Sequence, residues 1–290
     1  MELLVTLRNT KNFEFLHKVC DGIIVGSQFC SGYKYNIGDL RKIRTICKEN
    51  GLKFYVEISN FISEDEKMDL FQYIYFLKNL DVDGIYFHDL AVYNVASSYD
   101  MTSKLIYDGQ TVMCNSLDAS YFLSKGINGV VLSRELTYNE VTNMVKANPN
   151  RLDMVVFGHL RMSYSRRKFL SNYFKEIDRD FENNSSRSLY LVEEKRDYKM
   201  PIIEDESGTK IYTDYIFEMY REFVELKPYL KRAIVDSMFI DEDTILYVLN
   251  NHYHMNSDNV NSLLYDLITK IPDNYSEGYL YQKTNITKDE

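Results

Sequence analysis

Short apolar runs alternate with segments of helical period through the first half of the chain. Leu3-Leu4-Val5, Gly22-Ile23-Ile24-Val25-Gly26, Lys53–Ile58, Gly84-Ile85-Tyr86-Phe87, Lys104–Tyr107, Gly129–Leu132 and Asp153–Phe157 read as buried strands. Between them, Asn12–Cys20, Asp39–Asn50 and Tyr138–Ala147 carry apolar residues at helical spacing. Ser63 with Glu66 forms a capping-box pattern for a helix reaching about Asn79, and Ser116 is the expected cap of a helix ending at Lys125-Gly126. Asp21-Gly22, Asp83-Gly84 and Asn128-Gly129 repeat one form, a turn and a glycine just before a buried strand. Strands alternating with helices predict a parallel sheet. Some seven units in about 240 residues suit a (β/α)8 barrel, whose usual size is about 250 residues. An open doubly wound sheet is the competing architecture. No GxGxxG follows the first strand, so a dinucleotide site lacks its fingerprint.

The rhythm breaks over about 175–212. Tyr190-Leu191-Val192 and Pro201-Ile202-Ile203 read as short strands beside the charged turns Glu193–Lys199 and Glu204–Gly208, which predicts a small antiparallel insertion near 185–212. The repeat resumes with a helix over Tyr215–Leu226, a strand at Ala233–Ser237, and helices over Thr244–Asn251 and Val260–Ile271. The expected organisation is one barrel domain over 1–273 and a polar tail over 274–290.

Composition changes this picture little. The 290 residues are 45% hydrophobic and 27% charged, which excludes a disordered chain or a disulfide mini-protein. The start Met1-Glu2-Leu3-Leu4 does not read as a targeting signal, and no stretch approaches a membrane span. Cys20, Cys30, Cys47 and Cys114 form no CxxC pair, so reduced thiols and a cytoplasmic location are expected, with Cys114 as a buried structural thiol. Charge is more informative. The net charge is −9, yet residues 151–200 carry 11 basic and 8 acidic side chains. That stretch holds Arg161, Arg166, Arg167 and Lys168 beside Tyr164 and Tyr173, a set suited to an RNA backbone with aromatic stacking or, equally, to a solvated helix face.

A barrel places its active site at the carboxyl ends of its strands. The candidates there are Thr6, Ser27, Glu57, His88 with Asp89, Asp108, Arg134 with Glu135, His159 with Arg161, and Asp241. Polar residues end most strands for structural reasons. As a set these mix acids and arginines, which suits an anionic small molecule or phosphate gripped by arginine. Arg134 and Glu135 are the lead candidates, either for orienting such a ligand or as an ion pair closing the rim; Glu57, His88 and Asp89 come second. His252 and His254 are spaced i, i+2 and read as a surface helix end, with no metal set nearby.

Ser116-Leu117-Asp118-Ala119, Leu123–Gly126 and Val130-Val131-Leu132-Ser133-Arg134-Glu135-Leu136-Thr137 with Glu140 resemble the U32 peptidase family, also called collagenase-like proteases. Gly158 with Ser163-Tyr164-Ser165, Ser171-Asn172-Tyr173, Arg196, Pro201-Ile202, Glu204-Asp205, Asp236-Ser237 and Glu277-Gly278 extend the likeness over almost the whole chain, and it is nearest to the short, paired branch of low-GC Gram-positive bacteria. The resemblance implies one of three functions. The first is a part in RNA modification, namely hydroxylation of wobble uridine in tRNA, with prephenate as a required anionic metabolite and a cluster-bearing U32 paralogue as partner. The second is peptidase activity, for which no nucleophile set is evident. The third is a non-catalytic, partner-binding barrel. The family's iron–sulfur cysteines would fall at Arg161, Lys168, near Arg187 and near Ile216, and none of these is Cys. Since thiolates hold such clusters, no cofactor of its own is expected for this chain.

Overall fold

A computed structural model of the chain describes residues 1–8, 13–181, 189–194 and 197–282. Eight parallel strands close into a barrel: β1 (Glu2–Leu7), β2 (Gly22–Gly26), β3 (Lys53–Ile58), β4 (Gly84–Phe87), β5 (Leu105–Asp108), β6 (Gly129–Val131), β7 (Leu152–Gly158) and, much later in the chain, β13 (Arg232–Val235). β13 pairs with β7 on one side and β1 on the other, which completes the ring. The connecting helices are α1 (Phe13–Leu16), α2 (Ile37–Glu49), α3 (Lys67–Leu80), α4 (Leu90–Ser98), α5 (Ser116–Ser124) and α6 (Tyr138–Ala147). The α/β barrel expected from the alternating pattern is therefore present.

Between β7 and β13 the chain leaves the barrel. β8 (Arg161–Ser165), α7 (Phe169–Glu176), β9 (Tyr190–Val192), β10 (Lys199–Asp205) and β11 (Gly208–Tyr212) build a four-stranded sheet in the order β8-β11-β10-β9, antiparallel throughout. This is the expected insertion, but it begins earlier, at Arg161. The sheet carries α7 through Glu204, whose buried carboxylate accepts the Leu170 and Ser171 amides at 2.7 and 3.0 Å, so it satisfies free N–H groups in the first turn of that helix. The chain returns through β12 (Ile216–Glu218), α8 (Tyr220–Leu226) and β13, then α9 (Glu242–His254), α10 (Val260–Lys270) and β14 (Tyr275–Ser276).

Three local expectations need correction. Tyr215–Leu226 is not one helix; its first part is β12, which lies antiparallel on β7 and leaves only Tyr220–Leu226 helical. The start of the polar tail packs on the barrel, since β14 pairs with β12, Leu280 is buried, and Tyr281 Oη donates to Glu222 Oε1 at 2.5 Å. α5 is capped by Asn115 rather than Ser116. His252 is buried, its Nδ1 2.9 Å from the Val248 carbonyl, because α9 turns that face onto Phe157, Tyr220 and Phe223. The capping box at Ser63 and Glu66 is present as expected, opening a 3-10 turn that runs into α3.

The repeated Asp/Asn-Gly turns have a physical explanation. Asp21 accepts the Leu3 amide at 2.7 Å and Asp83 accepts the Phe54 amide at 2.8 Å, satisfying N–H groups in the neighbouring strand. The glycines clear room inside the barrel. A Cβ at Gly84 would stand 2.8 Å from the Tyr55 ring, and one at Gly129 would collide with the Arg232 guanidinium. What fills that space is a polar plug. Arg232 Nε donates to Asp153 Oδ2 at 2.7 Å, Tyr86 Oη donates to the same oxygen at 3.0 Å, and Arg232 Nη1 donates to Asn128 Oδ1 at 2.7 Å. Both charged side chains are essentially inaccessible, at 2% and 0%. Burial pushes the Asp153 carboxyl upward. Burial also opposes the charge on Arg232, but Asp153 more than offsets it and holds the guanidinium protonated.

Removing one partner strands a buried charge, so Asp153→Ala is expected to cost about 3–5 kcal/mol in urea denaturation. Glu218 gives a pH test. Burial, then its Tyr220 contact and the Glu277 and Glu222 charges, set its carboxyl at about 7 against an ordinary 4.5. The unfolded chain thus ionises Glu218 first, and stability falls as pH rises from 4.5 to about 7, then levels off. Glu218→Gln is expected to flatten that slope when denaturation is compared at about pH 5 and about pH 8.

Candidate functional site

Above the plug the barrel is open. A cavity at the carboxyl ends of the strands encloses about 450 Å3 of empty space, part of it continuous with solvent. Its floor is apolar, formed by Ile24, Ile58, Phe87, Val155 and Ile234, with Tyr86 joining it to the plug below. Its rim is charged. Glu57 is the last residue but one of β3, Asp108 ends β5, and Asp236 follows β13, while Arg134 and His88 follow β6 and β4.

These groups are held in place. Arg134 Nη2 donates to Asp108 Oδ2 at 3.2 Å. Burial would raise the Asp108 carboxyl, but Arg134 and then Arg161 outweigh it and keep it below the usual range. Tyr33 Oη donates to Glu57 Oε2 at 2.5 Å, and the Arg8 guanidinium lies 3.7 Å from the centroid of the same Tyr33 ring. Arg8 Nη2 donates to Asp236 Oδ1 at 3.1 Å, which also accepts from Thr6 Oγ1 at 3.1 Å. Two arginines therefore flank the cavity with hydrogen-bonding capacity left over: Arg134 Nη1, and Arg8 Nε and Nη1, are buried with no acceptor. A buried guanidinium N–H without a partner is costly, and an incoming carboxylate or phosphate oxygen removes that cost. Arg8 borders a second, apolar cavity between β1 and α9 that shares Thr6 with the first.

The inserted sheet docks on the loops beside this rim. Arg161 Nε donates to Gln110 Oε1 at 3.0 Å. Lys210, 1% exposed, donates to Asn60 Oδ1 at 3.0 Å and Ser207 Oγ at 3.1 Å, and Ser31 Oγ lies 2.6 Å from Ser207 Oγ. Burial, and after it Arg161, push the Lys210 ammonium down to about 8. This junction latches the insertion onto the loops after β2 and β3.

The strand-end candidates separate by duty. Thr6, Glu57, His88, Asp108 and Arg134 meet at the cavity, with His88 Nδ1 3.0 Å from the Asp108 carbonyl. Asp89 and Asp241 cap α4 and α9, Ser27 Oγ accepts the Phe29 amide, and His159 is buried with Nδ1 2.9 Å from the Thr213 carbonyl. Glu135 is exposed and outside the cavity lining; Arg134 pairs with Asp108 instead. Arg161 and Tyr164 lie on β8, while Arg166, Arg167 and Lys168 are exposed in the turn before α7, so this stretch is strand and turn rather than a helix face. Cys114 is exposed, not buried, because its loop lies outside the barrel. Sequence reasoning missed Arg8 and Asp236, each one residue past a strand, Phe61 in the loop after β3, and Lys210, which only the docking of the insertion brings there.

A family model described as Peptidase family U32 matches residues 14–289. The chain belongs to peptidase family U32. Among curated relatives, tRNA hydroxylation protein P2 of Bacillus subtilis is 29% identical over 247 residues, covering 83% of this chain and 79% of that protein. The tRNA hydroxylation protein P1 of the same organism is 24% identical over 183 residues, or 61% of this chain and 43% of that protein, so the match spans less than half of P1. A solved U32 peptidase superposes with a TM-score of 0.51 at 13% identity over 81% of this chain and 92% of that one, a likeness of fold.

Within this U32 chain the Arg-Glu-Leu-Thr element has two tasks. Arg134 reaches the cavity, and Thr137 with Glu140 forms the capping box that starts α6. At or near the positions where the resemblance implies cluster cysteines, Arg161 bonds Gln110, Lys168 is exposed before α7, and Ile216 is buried in β12. Arg187 lies outside the described residues. Guanidinium, ammonium and alkyl groups do not ligate iron, so this donor set does not fit a cluster. Among the described residues no group of three His, Cys, Asp or Glu is arranged to hold a metal.

Arg134→Ala is expected to raise the Asp108 carboxyl pKa, since its nearest cation is lost while Arg161 remains. Carboxyl-carbon NMR titration of the two proteins reads that rise directly.

Proposed function

We propose that this chain is a component of tRNA hydroxylation, acting on wobble uridine beside a cluster-bearing U32 paralogue. The observation that carries the reading is the likeness, over most of the chain, to a relative named for tRNA hydroxylation. The geometry supports it. The cavity joins an apolar floor to a rim where Arg134 Nη1 has no acceptor, which suits a small anionic metabolite of the prephenate kind. Arg166, Arg167 and Lys168 stand exposed in the turn after β8, available to the phosphates of an RNA strand. In this reading, with Arg161 and Lys168 where the resemblance implies cluster thiolates, the chain supplies binding groups and the paralogue supplies redox chemistry. Such a role belongs in the cytoplasm, where tRNA is, and no helix among the described residues is long and apolar enough to cross a membrane.

Peptidase chemistry draws no comparable support. His88, His159 and His252 each set Nδ1 against a backbone carbonyl, not against the carboxylate that orients a triad histidine.

Deleting the gene is expected to abolish hydroxylated wobble uridine in bulk tRNA, read by mass spectrometry; unchanged levels would reject the proposal. Complementation with Arg134→Ala is expected to leave a folded protein whose affinity for prephenate, measured by calorimetry, is about 10- to 100-fold lower, the worth of one charged hydrogen bond.

A further inference from the structure

Phe61 is 39% exposed in the loop after β3, at the edge of the charged mouth. It is nevertheless fixed. Its ring stacks on Tyr164 at 5.0 Å with planes only 17° apart, and the His88 ring meets it edge-on at 4.9 Å. Tyr164 is clamped in turn, with Oη donating to the Ser207 carbonyl at 3.2 Å and Lys210 Nζ 4.2 Å from its ring centroid. Arg161 lies 5.7 Å from the same ring. The ring thus packs on Tyr164 and His88 yet keeps part of its surface in water, beside the cavity that His88 lines. Other exposed rings, such as Tyr75, Tyr121, Tyr253 and Tyr265, sit on the outer helices.

We propose that Phe61 is the platform on which an unpaired nucleobase of an RNA loop stacks, with Tyr164 and Lys210 as its rigid backing. This rests on the RNA-modification reading above and assigns the base contact within it. A nucleobase is favoured because it offers a flat π-face to a pre-positioned aromatic ring at little ordering cost. The exposed Arg166, Arg167 and Lys168 begin two residues after Tyr164 on the chain, so a strand whose base lies on Phe61 has cations for its phosphates close by. Tyr164, the aromatic that the sequence singles out, is covered by Phe61 and tied to Ser207. Its part is to hold the platform.

The chain contains no Trp, so Phe61→Trp installs a single indole that reports on this position alone. The test uses the full chain, a labelled tRNA anticodon stem-loop with unpaired uridine, and a fully paired hairpin of equal length, with binding read by anisotropy. The stem-loop is expected to quench the indole emission and the paired hairpin to leave it unchanged. Phe61→Leu, with a circular dichroism spectrum like that of the parent, is expected to bind the stem-loop about tenfold more weakly, the loss of one base stack, and the hairpin equally well. Unquenched emission with the stem-loop bound, or undiminished binding by Phe61→Leu, overturns the stacking platform and leaves the RNA reading standing. Equal quenching by both RNAs also overturns it. Failure of the unaltered chain to bind either RNA overturns both.

Discussion

The buried pair of Asp153 and Arg232 sets the shape of everything above it. It lies where β13 closes the ring against β7, deep enough that neither charge meets solvent. Taking two ions out of water is costly, and their mutual bond offsets that cost with one further hydrogen bond each from Tyr86 and Asn128, while Asp153 Oδ1 and Arg232 Nη2 have no hydrogen-bond partner. The plug fills the lower lumen, and glycine at 84 and 129 gives it room. Because the lower half is solid, the open space and its charged rim are confined to the carboxyl ends of the strands.

The insertion completes that rim. Its sheet does not merely cover the barrel, since Lys210, Ser207, Ser31 and Asn60 lock the turn after β10 onto the loops after β2 and β3. The mouth thereby gains two cations from the insertion, Arg161 and Lys210, next to Arg8 and Arg134 from the barrel. Two acids at strand ends, Asp108 and Asp236, hold Arg134 and Arg8 in position without using all their donors. A rim that is both fixed and incompletely satisfied is the physical basis for reading it as a site for an anion.

Several features were legible from single residues because local physics decides them. The capping box at Ser63 and Glu66 is one, since a hydroxyl and a carboxylate three residues apart serve the same helix start. The strand-end rule found Glu57, His88, Asp108 and Arg134, but it also returned Asp89, Asp241 and Ser27, because a carboxylate or hydroxyl that caps a helix or turn looks the same in sequence as one that faces a cavity. His252 and Cys114 were misjudged for a related reason. Burial depends on which face of an element meets another element, and for His252 that face is set by Tyr220 and Phe223, far away in the chain.

By itself the sequence determined the repeating strand–helix units, the parallel barrel they form, the place of the insertion and the family to which the chain belongs. Each follows from periodicity, caps and turns within about a dozen residues, or from motifs spread along the chain. Only the tertiary structure decided that Arg134 pairs with Asp108 rather than Glu135, that Tyr164 lies under Phe61, and that Lys210 is buried at the mouth. These contacts join residues 26, 103 and 150 positions apart, across the barrel and its insertion. Side-chain pairing at such separation is fixed by how the closed ring and the docked sheet bring strand ends together, and no local pattern encodes that.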